Sequence, residues 1–516
     1  MENKTIFQNP QVPPQPAQKV EDPLYSVANQ PQEERTAPLF QAQPQQQGNY
    51  PPPSGQQVYQ NSPLTDFYPQ PKQKKGGGSS GKKIVSIFLS VFIVVAFILI
   101  LALGAIFVLS NSSGNSSNSS GGAVTLTYWG LFEESSTMQG IINQFEKQNP
   151  GIKINYVKQD INQYRERLVT RIDNGTGPDI FRFHNTWYPM LSSELLPLPS
   201  DVITPDEFKL IYYPVMQKDL INNGAIYGIP LEVDTLSLFI NNTLFQAAGL
   251  QTPVTWDQFR NDATAMTVKD QNGKILTAGA AMGTYDNVDH AADILSLLML
   301  QSGVDFSNIQ AYSSQVQDAF NFYTSFTSDP KTSIWDGTLD PSTLAFSKGK
   351  LGMYFGYSQD YYTIKQYNPN LSFQVVPVPQ LPGENVTLAS YWVEGVSQKS
   401  KYQKEALMFM KFLAQKETQV ELYQDEAKIR DFGEPYARVD LADNLKSNPN
   451  AYTFVAQAPY AQSSYFVSST DDNGINQQLD GYLGTAINTI LTQGTAPDAT
   501  QTFIEAVSPI LQQVSK

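Results

Sequence analysis

The chain contains no cysteine in 516 residues. Disulfides, thiolate metal sites and thiol nucleophiles are therefore excluded, as is a lipid joined through an N-terminal cysteine. Histidine is almost as scarce, with only His184 and His290, so no HExxH zinc pair can form. There is no GxxxxGK[ST] phosphate loop and no GxSxG elbow; GYSQD at 356–360 lacks the second glycine. Asp and Glu are plentiful, and residue types alone leave a paired-carboxylate glycosidase open. Basic residues are thin after the first part of the chain. Residues 1–83 hold eight Lys/Arg and six Asp/Glu, and residues 84–122 hold none of either. Of the totals of 34 and 48, this leaves 26 and 42 for residues 123–516, a net charge of −16. A region that acidic lacks the clustered cations that phosphates require, so no nucleic-acid partner is expected. Nor should it lie flat on an anionic membrane.

Charge is missing altogether from residues 84–109, IVSIFLSVFIVVAFILILALGAIFVL, which also lack proline. At about 1.5 Å per residue a helix of this length exceeds a hydrocarbon core of about 30 Å. A helix also satisfies its own backbone in lipid, so a transmembrane helix is expected here. Lys72, Lys74, Lys75, Lys82 and Lys83 precede it, and an uncharged SNSSGNSSNSSGG follows. The basic side stays in the cytoplasm, which makes this an uncleaved signal anchor. The expected arrangement is a cell-membrane protein with a single pass, a cytoplasmic N-terminus and an extracellular or periplasmic binding domain. A core helix would show polar positions along one face. A cleaved signal peptide would be shorter and would lie at the extreme N-terminus.

Residues 1–83 are rich in Pro and Gln, with sparse, aperiodic apolar residues. Such a tract buries too little surface to offset chain entropy, so a disordered cytoplasmic tail is expected. A polyproline dock for SH3- or WW-like grooves is the alternative to a solvated tail without a fixed partner. Residues 110–122 read as a flexible Ser/Asn/Gly linker.

From Val124 the pattern changes. VTLTYW alternates as a strand, TMQGIINQFEKQNPG has helical spacing, and IKINYV alternates again. INQYRERLVTRIDNG is a second amphipathic helix, and GPDIFRFHNTW supplies a strand and a loop. Strand–helix–strand–helix–strand implies parallel strands with crossover helices.

Four stretches carry a family resemblance. They are YW…FEKQNPGIKINYV…RLVTRIDNGTGPDIF, YGIPLEVDTLSLFINNTLFQAAGLQTPVTWDQF, AFSKGKLGMYFGYSQDY, and FQVVPVPQLPG…YWVEGVSQKSKYQKEALMFMKFLAQKETQ. In this order and spacing they resemble the extracellular solute-binding proteins related to maltose-binding protein, the capture components of ABC importers. The resemblance implies an α/β fold of the two-lobe periplasmic-binding-protein type (type II-like), with an interlobe ligand cleft. Lobe 1 is expected at about 123–233 and 378–425, and lobe 2 at about 234–377 and 426–516. Crossovers are expected near 231–235, 376–379 and 424–432. The implied partners are ABC permease subunits and a small-molecule ligand, a sugar or oligosaccharide, with no cofactor and no enzymatic activity.

In α/β lobes ligands meet the carboxyl ends of the strands. That rule nominates Trp129 and Glu133 after the first strand, and Phe183, His184, Asn185 and Trp187 after GPDIF. It also nominates Asn287 in the GTYDNVDH loop, Tyr357 and Tyr361 after GKLGMYFG, and Trp392 and Glu394 in SYWVEG. The resemblance adds Glu232 and Asp234 at the first crossover, where relatives use a carboxylate for ligand hydroxyls. Sugars need flat apolar faces for C–H surfaces and carboxylates or amides for hydroxyls. Trp129 and Trp392 are the expected aromatic walls, with Asp234 the expected acceptor. Packing is the competing role for every aromatic, and a plain hydrogen-bonded histidine the competing role for His184. Trp256 and Trp335 read as structural, and Asp179 as fixing its own turn.

One stretch imitates a calcium loop. Ser469, Asp471, Asn473, Gly474 and Asp480 follow part of the EF-hand spacing, with Ser for the first Asp and Asp for the last Glu. A polar turn in which Asp471, Asp472 or Asn473 caps the next helix is expected instead, with no metal bound. Two further functions compete with solute capture: a ligand-sensing receptor signalling through the helix and tail, and a hydrolase on the same scaffold.

Overall fold

The computed structural model describes residues 123–514, apart from 330, 384, 469 and 495. The expected tail, membrane helix and linker lie outside the described residues, as does Ser469 of the calcium-like pattern. Among the described residues no helix is long and apolar enough to cross a membrane.

The chain opens with β1 (Val124–Gly130), α1 (Ser135–Gln148), β2 (Ile152–Lys158), α2 (Tyr164–Asp173), β3 (Ile180–His184) and β4 (Ile229–Pro230). It continues through β5 (Ser237–Asn241), β6 (Val268–Lys269), β7 (Ile275–Ala280), α3 (Ala291–Gln301), β8 (Leu351–Gly356), α4 (Ser358–Tyr367) and β9 (Phe373–Val376). Then come β10 (Trp392–Val396), α5 (Gln403–Leu413), α6 (Lys416–Glu426), α7 (Pro449–Gln457), α8 (Ile475–Gln493) and α9 (Ala496–Val514).

Two five-stranded sheets result, ordered β2-β1-β3-β10-β4 and β9-β5-β8-β7-β6. In the first, β1 runs parallel to β2 and β3, while β10 is antiparallel to β3 and β4. Ile152, Ile154 and Tyr156 alternate inward along β2, and Lys153 and Asn155 face solvent. In α1, Met138, Ile141, Ile142 and Phe145 bury one stripe, and Phe145 meets Phe409 of α5 edge-on at 4.9 Å. Each sheet sits in its own hydrophobic core. This is the two-lobe α/β solute-binding fold.

Three segments cross between the cores side by side. In the first, residues 231–236, Val233 belongs to the first core and Leu236 to the second. Leu236 N donates to Leu388 O at 2.8 Å, Ser390 N to Asp234 O at 3.1 Å, and Val233 N to Pro435 O at 2.9 Å. Backbone pairing of Thr235 with Ala389 and of Glu232 with Tyr436 completes the hinge.

The return comes later than the prolines at 377 and 379 suggest. Val378, Val386 and Leu388 still pack in the second core, and only Ala389 and Tyr391 join the first. Val378 N donates to Gln457 and Gln380 N to Val254 O, which ties the connector down on the second lobe. The last crossing is also more gradual than a single switch at 424–432. Phe432 packs in the second core, yet Tyr436, Ala437, Leu441 and Leu445 belong to the first. Arg438 holds them there by donating to Ala414 O at 2.8 Å. Helix α7 then presents Phe454 to the second core and Val455 to the first.

Candidate functional site: a cleft at the hinge

The cleft begins where β1 ends. A Cβ on Gly130 would stand 2.2 Å from Tyr156 Oη, so only glycine lets that ring cross the strand end. The Tyr156 hydroxyl donates to Glu133 O at 2.9 Å and fixes the loop that follows. Phe132, at the tip of that loop, is 40% exposed. Its ring meets the Trp392 indole edge-on at 5.2 Å. Trp392 opens β10 opposite His184 in the register and rests edge-on against His184 and Trp187, at 5.1 and 5.2 Å. Phe132 and Trp392 therefore form one aromatic wall, with Trp187 fully buried beneath it.

Polar groups close the rest of a cavity of about 220 Å³. Glu232, Asp234 and Ser390 come from the hinge, Tyr357, Ser358, Gln359 and Asp360 from the start of α4, and His290, Glu434, Ser468 and Thr470 from nearby loops. Asp234 Oδ2 accepts from Ser358 N at 2.8 Å and Ser358 Oγ at 2.6 Å, at the N-terminus of α4. Burial nevertheless raises its carboxyl well above the usual range; the Ser358 bonds oppose that shift and Glu434 adds to it. Burial likewise pushes Glu232 well up, with Glu434 nearby adding to the shift.

The two histidines carry opposite charge states. His184 bonds Thr186 Oγ1 at 2.8 Å and Ser390 Oγ at 2.9 Å. Burial lowers it to about 3, so it is neutral and can offer only a dipole. His290 is buried too, which opposes its charge, but Asp360 and Asp293 override that and hold it protonated well above its usual range. Its Nε2 lies 2.9 Å from Asp360 Oδ2 and its Nδ1 3.0 Å from Ser468 Oγ. Tyr357 Oη donates to Asp293 at 2.8 Å, extending the network. Among the described residues no group of three His, Asp or Glu is arranged to hold a metal ion. Asp472 accepts from the backbone of Gly474, Asn476 and Gln477 and caps α8.

Of the residues nominated from sequence, His184, Glu232, Asp234, Tyr357 and Trp392 line this cavity. The others stand elsewhere. Trp129 lies beside Tyr164, 6.4 Å between ring centroids, because β1 runs one residue further and hands the tip to Phe132. Glu133 and Glu394 clamp the buried Arg182 at 2.7 and 2.6 Å. Phe183 and Trp187 are fully buried in the first core. Asn185 bonds Asp219 and Ser463, both at 3.0 Å, on a different cavity. Asn287 donates to Asp336 O and Leu339 O and holds its own loop. Tyr361 Oη turns away to Asp431 at 3.0 Å. Trp256 and Trp335 are buried in the second core, and Asp179 accepts from Thr127 N at 2.9 Å across the sheet.

Sequence reasoning missed Phe132, Ser358, Asp360, Ser390 and Glu434. The start of α4, directly after β8, was the available signal, since helix N-termini after strands are ligand positions. Ser390 and Glu434 had none.

Residues 129–420 match the family profile of the bacterial extracellular solute-binding proteins. The chain belongs to that family. Among curated relatives of this solute-binding protein, a putative binding protein of Brucella abortus is 24% identical over 335 residues, 62% of this chain and 77% of the relative. The multiple sugar-binding protein of Streptococcus mutans is 24% identical over 318 residues, 56% of this chain and 71% of the relative. Among solved structures, an ABC transporter solute-binding protein of Thermotoga lettingae, bound with α-D-tagatose, superposes with a TM-score of 0.59 at 19% identity, covering 75% of this chain and all of that one. At that identity the likeness concerns the fold.

Proposed function

We propose that this solute-binding protein captures a carbohydrate outside the cytoplasm and presents it to an ABC permease. The observation that carries the reading is the cleft itself. One aromatic wall, Phe132 with Trp392, shares a cavity with the acceptors Glu232 and Asp234 and the neutral His184. An apolar face and several acceptors suit a ring with C–H surfaces and hydroxyls. The sugar-binding relative and the tagatose-bound neighbour support the same ligand class. A second cavity of about 580 Å³ shares the lining residues Phe132 and Gln359 with it, which supports a ligand of more than one sugar ring.

Binding at a hinge gains most when both lobes touch the ligand, so capture should close the cleft. Thermal-shift screening of sugars, peptides, polyamines and inorganic anions, followed by calorimetry, identifies the ligand. Small-angle scattering then reads the closure. A tightest ligand that is a peptide or an inorganic anion overturns the carbohydrate reading.

Anchoring belongs to the proposal as well, and the uncharged run at 84–109 after five lysines supports it. External protease should remove residues 123–516 and spare an N-terminal tag. Loss of the tag with the C-terminal part protected overturns it. The Pro/Gln-rich 1–83 supports a second role, a receptor signalling through that helix. Specific cytoplasmic proteins retained by residues 1–83 would favour this role.

A further inference from the structure

Three cations beside this cavity are each already shared by two carboxylates. Arg182 holds Glu133 and Glu394 at 2.7 and 2.6 Å. Arg430 holds Glu426 and Glu434 at 3.0 and 2.8 Å. His290 stands 2.9 Å from Asp360 and 3.5 Å from Asp293. Two carboxylates remain, both on the first crossover. Asp234 has the N-terminus of α4 through Ser358. Glu232 has nothing equivalent. It is 8% exposed, lines the cavity, and has neither a hydrogen bond nor an ion pair to its carboxylate among the described residues. No Lys or Arg lines the cavity with it.

The Glu232 oxygens open on the cavity with no protein donor or cation bonded to them among the described residues, so a bound ligand is what can complete them. Resting on the carbohydrate reading of the cleft, we infer that the ligand supplies the missing charge: it is an amine-bearing sugar whose ammonium group pairs with Glu232. The Phe132–Trp392 wall lines the same cavity and favours a cation at its ring faces as well as C–H surface. A neutral hydroxyl forms only an ordinary hydrogen bond with Glu232, whereas an ammonium forms a charge-assisted one when the carboxylate carries its negative charge. In the empty cleft the protonated form of this carboxyl is favoured. Burial raises the Glu232 carboxyl, Glu434, Glu133 and Glu426 reinforce the shift, and Arg182 opposes it. An incoming ammonium takes the proton's place. Binding of the amine therefore releases a proton, and affinity rises as pH rises towards the range in which free Glu232 would ionise.

The test uses the full chain in detergent at pH 7 and matched sets of probes: glucosamine, galactosamine and mannosamine, each with its N-acetyl derivative and its parent hexose. Calorimetry is run in two buffers of different ionisation enthalpy. One amine should bind about ten- to a hundredfold more tightly than its two counterparts and release a proton. Glu232→Gln should erase the preference and the proton release while the thermal midpoint holds, because a protonated carboxyl and an amide are alike in shape and both neutral. A parent hexose or N-acetyl sugar that binds as tightly as its amine overturns this inference and leaves the carbohydrate reading standing. If only non-sugar ligands bind, both fall. A preference that survives Glu232→Gln also overturns it.

Discussion

Arg182→Met removes the cation at the base of the cleft and keeps similar bulk. Arg182 is 2% exposed and lies between Glu133 and Glu394, each within 2.7 Å or less. Without it two carboxylates stand buried with no counter-charge, and one oxygen of Glu394 already has no partner. Breaking a buried pair of this kind costs about 3–5 kcal/mol. A lobe pair of this size melts with an entropy near 0.8 kcal/mol/K by the usual per-residue scale, so the midpoint should drop by roughly 4–6 °C at pH 7. The pH dependence has a definite sign. Burial works against the charge on Glu133, but Arg182 overrides it and holds that carboxyl low. In the native protein this stabilisation is present above the unfolded carboxylate range and fades as pH falls through the depressed value. In Arg182→Met the same carboxyls shift upward, and their penalty fades on acidification as they take protons. The gap between the two proteins should therefore narrow from pH 7 to pH 5. Differential scanning calorimetry at several pH values is the assay. A loss under about 1 °C at pH 7, or a gap that widens in acid, refutes the reasoning.

Three further outcomes follow from the site. Trp392→Ala should weaken the sugar found by screening by at least about tenfold, at roughly 25 cal/mol per Å² of lost apolar contact, whereas Trp129→Ala should leave affinity within about twofold; calorimetry on the pair decides between the two tryptophans. Asp234→Asn keeps the shape and the bond from Ser358 but turns one carboxyl oxygen into an amide donor, and should weaken binding by about tenfold with the fold retained by circular dichroism. Gly130→Ala forces a Cβ to 2.2 Å from Tyr156 Oη, so it should destabilise the domain by about 1–3 kcal/mol and displace the Phe132 loop; an unchanged denaturation midpoint with unchanged affinity would contradict this.

Local pattern alone determined much of the first lobe. The alternation in IKINYV placed Ile152, Ile154 and Tyr156 inward, and the 138–141–142–145 spacing produced the buried stripe of α1. Both depend on residues adjacent in sequence, whose periodicity follows directly from strand and helix geometry. The chain order of four motifs was enough to indicate two lobes and a hinge carrying Glu232 and Asp234. The tertiary structure decided which side chains share the cleft. Trp129 and Phe132 are three residues apart, and their roles turn on where β1 ends, which Gly130 and the distant Tyr156 set together. Trp187 and Trp392 are both nominated for the site by the sequence, yet one is the floor and the other the wall, because β3 and β10 pair antiparallel and put His184 opposite Trp392. Ser390 and Glu434 reach the site only because three crossings, far apart in sequence, hydrogen-bond side by side. The excess of carboxylates over cations arises from that same meeting. Charge balance in a buried cluster is a property of spatial neighbours, and no spacing along the chain encodes it.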